Sequence, residues 1–364
     1  MSTDRRSGTG SRLLAGAPTI LVGTLAVLGF VVAVQLMGAG MRDLAPALGP
    51  WLRRSLDPDA AALGAGWLVA YGMLNGSVVA AVAVTLFDAG LVSVRELFLL
   101  VVGSRLGAAA MVVLVGGVDY LQRRETALGE ALDLGLFTFL LTHTIYLPVA
   151  VVGALTVDAV VGAGAVPPGW LGTVPLPLEA LGGAVDVLAR SLGGLLSVGV
   201  ALSLFLASLR IIDRLFARLD TERLEDRYLA VLDRPWLSFF GGLVVTALTT
   251  SVAVSVGIAV PLYNRGHLTR EQMAPYVLGT SLGTLVDTLL VAVVVGSPAA
   301  LLTVGFVLVV GTATSLIALT AFGRYFDALD GLQSRLVTER RAFGAFVLAL
   351  IAVPAGLVAL ALLT

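Results

Sequence analysis

Long apolar runs limit this chain to one kind of solvent. Seven segments, about 13–37, 94–117, 134–157, 181–209, 272–296, 299–320 and 343–363, each approach or exceed the roughly 20 apolar residues that an α-helix needs to cross a bilayer core of about 30 Å. Charged residues gather in the short stretches between them. With 13% of its 364 residues charged and 58% hydrophobic, the chain has too few charges to coat a soluble globule, for which about a quarter would be usual. Hydrocarbon offers no partner to backbone N–H and C=O groups, so a lone span must satisfy them internally, as an α-helix does. The pattern predicts an all-α polytopic membrane protein whose first partner is the lipid bilayer.

Two further apolar segments, 62–88 and 237–262, are interrupted near their centres, the first by Asn75, Gly76 and Ser77 and the second by Thr249, Thr250 and Ser251. Split there, each gives two pieces of about 12 residues, or about 18 Å of helix, too short to span. Such pieces can enter a membrane and leave on the same side. Arginine placement supports this reading. The chain has no Lys, and 17 of its 23 arginines fall inside if both segments are re-entrant hairpins and the N-terminus is cytoplasmic. Full crossings would instead move 118–133 and 210–236 to the side opposite Arg5, Arg6 and Arg12. The run 13–37 is too long for a signal-peptide core and is expected to remain as an anchor. The expectation is a multi-pass protein of the cell membrane with about seven full spans plus two hairpins.

The two halves align without a gap in the register that sets Gly66 against Gly242. In that register Gly90, Gly103 and Gly107 meet Gly266, Gly279 and Gly283, and Val101 and Leu106 meet Val277 and Leu282. The arginine count puts the two hairpin mouths on opposite faces, so the repeats are inverted. The predicted organisation is a first inverted repeat over 1–160, an extracellular Pro/Gly linker over 161–180 and a second inverted repeat over 181–320. A surface helix and an extra C-terminal span follow over 321–364. Charge-dense amphipathic helices are expected at 210–236 and 322–342. Inverted repeats with broken helices are the architecture of secondary transporters, in which the site lies near the midplane. At such breaks, half-helix N-termini offer N–H donors to an anion, while freed carbonyls and hydroxyls offer hard oxygens to a small cation.

Other functions lack a foothold. The chain has no Cys for thiol metal sites, and its net charge of −1 leaves no nucleic-acid footprint. No P-loop, HExxH motif or nucleophile elbow occurs, so no enzyme is expected, and Na+ is expected as coupling ion in place of any cofactor.

The candidate substrate- or ion-binding residues are Asn75, Ser77, Thr249, Thr250 and Ser251 at the breaks, Thr280, Ser281 and Thr284 at the later glycine turn, and two charged residues inside spans, Arg105 and Asp287. Charges at membrane depth are costly and mark functional sites. Arg105 could grip an anion bidentately or pair with Asp287 or Asp88. His143, between two Thr in 134–157, reads as a hydrogen-bonded packing residue. The pairs Gly182–Gly183 and Gly193–Gly194 read as close helix contacts.

The stretch 241–290 resembles the second repeat of the type II sodium/phosphate cotransporter family. That repeat has a Gln-Ser-Ser-Ser tip, then Pro-Leu-x-x-x-Gly, then a Gly-Ser-Asn-Ile-Gly-Thr-Thr turn. Here the equivalents are Thr250-Ser251-Val252-Ala253, then Pro261, Leu262 and Gly266, then Gly279-Thr280-Ser281-Leu282-Gly283-Thr284-Leu285. The first repeat is similar through the tip Leu74-Asn75-Gly76-Ser77 and the turn Gly103-Ser104-Arg105-Leu106-Gly107-Ala108. The resemblance implies sodium-dependent uptake of phosphate or a similar inorganic anion, with Na+ at Ser77, Ser251 and Thr284. The family's tip Gln is replaced by Leu74 and Thr250, and its turn Asn by Arg105 and Ser281. The alternative is a non-transporting membrane scaffold or sensor built on the same fold.

Overall fold

A computed structural model describes residues 7–123, 128–162, 178–216, 234–250, 252, 255, 263 and 268–362. Helix is the only regular structure among them. The elements that position the site are α1 (Ser7–Leu56), α2 (Asp59–Met73), α3 (Gly76–Asp88), α4 (Val94–Arg123), α5 (Leu128–Gly162), α6 (Leu178–Leu192) and α7 (Gly194–Phe216). They continue with α8 (Pro235–Thr249), α9 (Arg270–Gly283), α10 (Leu285–Val295), α11 (Pro298–Thr320), α12 (Phe322–Thr338) and α13 (Arg340–Ala359). Among the described residues, six helical stretches are long and apolar enough to cross a membrane: Thr19–Leu56, Gly135–Gly162, Gly194–Phe216, Arg270–Val295, Pro298–Thr320 and Arg341–Ala359. The seventh expected span, 94–117, lies within the 30-residue α4, whose residues Leu97–Leu106 are buried.

Several boundaries differ from expectation. The span 13–37 and the segment after it form one 50-residue helix, α1. Close contact with α7 supports its length: the Phe30 and Phe205 rings lie 5.0 Å apart, and Gly40 faces the Gly194 carbonyl. Arg53 and Arg54 in its last turn suit the negative end of the helix dipole. The segment 181–209 is two helices, because Gly193 turns left-handed at φ 75° and ends α6. The Gly194 N–H then donates to the Asp43 carboxylate at 2.7 Å, so a side chain of α1 caps the start of α7. Gly194 does approach α1 closely, whereas Gly182 and Gly183 face open space. The linker core 163–177, residues 217–233 and most of 251–267, Ser251 included, lie outside the described residues.

The centre of the fold shows one packing device twice. A Cβ added to Gly66 would stand 2.4 Å from the Leu100 carbonyl oxygen, and one on Gly242 would stand 2.2 Å from that of Tyr276. Gly103 faces the Leu63 oxygen at 2.2 Å and Gly279 the Phe239 oxygen at 1.9 Å. Gly107 faces Trp67 at 2.3 Å, and Gly283 faces Leu243 at 2.7 Å. The partners follow the same register as the glycines, Leu100 matching Tyr276, Leu63 matching Phe239 and Trp67 matching Leu243. Only glycine lets α2 meet α4, and α8 meet α9, backbone to backbone. The shared register extends to capping. The Ser93 N–H is bonded by the Glu96 carboxylate, and the Thr269 N–H by Gln272 at 2.8 Å.

Candidate functional site

Each closely packed pair ends in a break. Leu74 follows α2 at φ 54°, ψ 20°, and Thr250 follows α8 at φ 53°, ψ 17°. These are the two non-glycine residues with positive φ among the described residues, and they too match in the register of the glycines. A left-handed residue ends a helix by turning its last carbonyls away from the ladder. Asn75 then restarts the first segment: its side-chain oxygen accepts from the Ser77 and Val78 N–H groups at 2.9 and 3.3 Å, capping α3. Its amide therefore holds donors that would otherwise face a ligand. Gly76 sits against the Ser104 carbonyl, which seats the break on the α4 turn.

The hydroxyls at the second break and turn are largely engaged with their own helices. Thr249 donates to Val245 O at 2.8 Å, and Thr250 to Thr249 O at 2.8 Å. Thr280 and Ser281 both donate to Val277 O at 2.9 Å, and Thr284 donates to Ser281 O at 2.8 Å. Thr284 also sits at the junction of α9 and α10, with helical φ −64° and ψ −18°, inside the continuous stretch Arg270–Val295. Ser77 is half-buried at the start of α3. Ser77 and Thr284 share no hydrogen bond, and their proposed partner Ser251 lies outside the described residues.

Polar contacts from α5 and from α4 connect the early helices to the α9–α10 region. On α5, the buried Tyr146 hydroxyl donates to the Ser281 carbonyl at 2.9 Å, and Thr142 Oγ1 lies 3.3 Å from Ser281 Oγ. On α4, Arg105 Nη2 donates to Thr288 Oγ1 of α10 at 2.7 Å, and Thr288 in turn donates to Asp287 Oδ1 at 2.8 Å. Arg105 Nη2 and Asp287 Oδ1 are 3.6 Å apart. Arg105 is 5% exposed and Asp287 2%, and they are the two buried charges among the described residues. The pairing foreseen with Asp287 is thus the one observed, while Asp88 pairs with Arg42 at 2.9 Å. Helix α10 packs on both α3 and α8, so it touches both broken segments.

His143 is buried between Trp67 and the stacked Phe139, with Nδ1 2.8 Å from the Phe139 carbonyl. Thr142, Tyr146 and Thr288 are site residues that sequence reasoning missed. Thr288 could have been suspected beside Asp287; Thr142 and Tyr146 are ordinary span residues until α5 is laid against α9.

A small polar island thus lies in an apolar surround, on a helix that touches both broken segments. The Na+/Pi-cotransporter family model matches residues 204–334, from α7 into α12. Over this stretch the chain is similar to that family. That family is one of sodium-coupled transporters and not of enzymes, and the six long apolar helices among the described residues support a multi-pass membrane protein. The matched region contains Asp287, Thr288 and the second break; Arg105, Tyr146 and the first break precede it. No curated protein and no solved structure matches the chain.

Proposed function

We propose that the protein carries phosphate, or an inorganic anion of similar size, into the cell together with Na+. In this reading the segments 62–88 and 237–262 are re-entrant and belong to two inverted repeats, and alternating access moves them around a midplane site. One observation carries the proposal: a left-handed break, at Leu74 and again at Thr250, recurs in a single register, each time behind the same three glycine contacts. Breaks at membrane depth leave backbone groups unsatisfied unless they line protein or an aqueous cavity. Two of them built alike are better explained by a shared ion path than by packing.

The anion contacts fall to Ser77, Thr250, Ser251, Thr280 and Ser281, with Asn75 ordering the start of α3. Na+ would use hydroxyl and carbonyl oxygens at Ser77, Ser251 and Thr284. Of the two roles open to Arg105, pairing with Asp287 is the one its distances support, because a carboxylate 3.6 Å away repels an approaching anion.

The test is uptake of radiolabelled phosphate into proteoliposomes. The expected result is uptake that needs an inward Na+ gradient and is competed by other oxyanions. A folded, reconstituted protein that takes up neither phosphate nor a competing oxyanion under any gradient would favour the scaffold reading.

A further inference from the structure

We propose that Arg105 is a tethered cation filling a monovalent-cation site made by Asp287 and Thr288, and that this site accepts Na+ once the guanidinium is removed. Arg105 and Asp287 are the only buried charges among the described residues, and among those residues each has the other as its neutraliser. An uncompensated charge at this depth is severely unfavourable. Yet the pairing does not use the guanidinium's fork. A fitted Arg–carboxylate pair makes two parallel hydrogen bonds. Here Arg105 Nη2 reaches the carboxylate through the Thr288 hydroxyl, and Arg105 Nε and Asp287 Oδ2 are buried with no hydrogen-bond partner.

What the site matches is therefore positive charge rather than guanidinium shape. A carboxylate with a spare oxygen beside a hydroxyl is a hard-oxygen set of the kind that suits small non-transition cations. The counterpart of Arg105 in the later stretch is Ser281, a neutral hydroxyl bonded to its own helix at Val277. The matching turn thus holds a neutral hydroxyl where the early turn holds a guanidinium.

The inference rests on the transporter reading only for its consequence, that this protein carries a fixed charge where another carrier would bind a further ion. Its test needs no transport. The purified full chain in detergent is unfolded thermally in NaCl and in choline chloride at equal ionic strength. Arg105→Gln should gain an Na+-specific rise in midpoint of roughly 5 °C beyond any wild-type response. Arg105→Lys, which keeps a tethered cation, and Arg105→Gln/Asp287→Asn, which removes both charges, should show no such gain. A folded Arg105→Gln without an added Na+ response overturns the proposal, as does a response that persists in the double variant. If Arg105→Gln folds only in Na+, the proposal stands. If it fails in both salts while the double variant folds, Na+ cannot replace the guanidinium and the proposal falls. If the double variant also fails, the proposal falls too, since a neutral site should be tolerated.

Discussion

Replacing Gly279 by Ala tests the contact on which the second broken segment rests. The new Cβ would lie 1.9 Å from the Phe239 carbonyl oxygen, 2.8 Å from the Leu243 nitrogen and 2.9 Å from the Phe239 carbonyl carbon. All three are backbone atoms of α8, so no side chain can rotate away. Reaching even 3.0 Å from the oxygen requires a local separation of about 1.1 Å, and that movement also loosens the neighbouring contacts of Gly242 and Gly283. Overpacking of this kind costs about 1–3 kcal/mol, and rigid neighbours favour the upper end. At roughly 2–4 °C per kcal/mol, the midpoint of thermal unfolding in detergent should fall by roughly 5–10 °C.

The matching Gly103→Ala, with its Cβ 2.2 Å from Leu63 O, should behave alike. Gly305→Ala is the opposing control. Nothing lies within 4 Å of its Cβ, in the middle of α11, so it should gain up to about 1 kcal/mol of helix propensity. A Gly279→Ala midpoint equal to wild type, or below wild type by no more than Gly305→Ala, would refute backbone contact between α8 and α9.

Two caps give further outcomes. Asn75→Ala leaves the Ser77 and Val78 N–H groups without their acceptor and should destabilise by about 1 kcal/mol, seen as a lower midpoint, while Asn75→Asp should largely retain stability. Asp43→Ala removes the carboxylate from the start of α7 and should lower the midpoint by a similar amount. Asp43→Asn, which keeps an acceptor within reach of the Gly194 N–H, should recover most of the loss.

What the sequence disclosed follows from the range of each interaction. Span length, the polar interruptions at Asn75 and Thr250, and the recurring glycines are local properties or simple periodicities, and all are visible in one dimension. The capped start of α7 was not: Gly193–Gly194 reads as two small packing residues, and the difference between a turn and a contact depends on Asp43, 151 residues away. The continuity of α1 was hidden because its second half is polar enough to pass for a surface segment, and only the length of α7 alongside shows why it stays helical. In the site, Arg105 and Asp287 were conspicuous because charge is unfavourable within a span. Thr142, Tyr146 and Thr288 cost little anywhere and carry no such signal.

The two matching stretches agree in their backbones and differ in their chemistry. Gly66, Gly103 and Gly107 have their counterparts, as does the left-handed Leu74, because those positions are dictated by helices touching without side chains between them. Arg105 corresponds to Ser281, and Asp287 to Met111, so neither member of the charged pair has a charged counterpart. The ion pair can therefore form only once, between an arginine of the early stretch and a carboxylate of the late one. A neutral hydroxyl at both turns would leave Asp287 alone in the core, and an arginine at both would leave a second guanidinium without a carboxylate. The asymmetry is what allows a doubled frame to enclose one neutral polar centre.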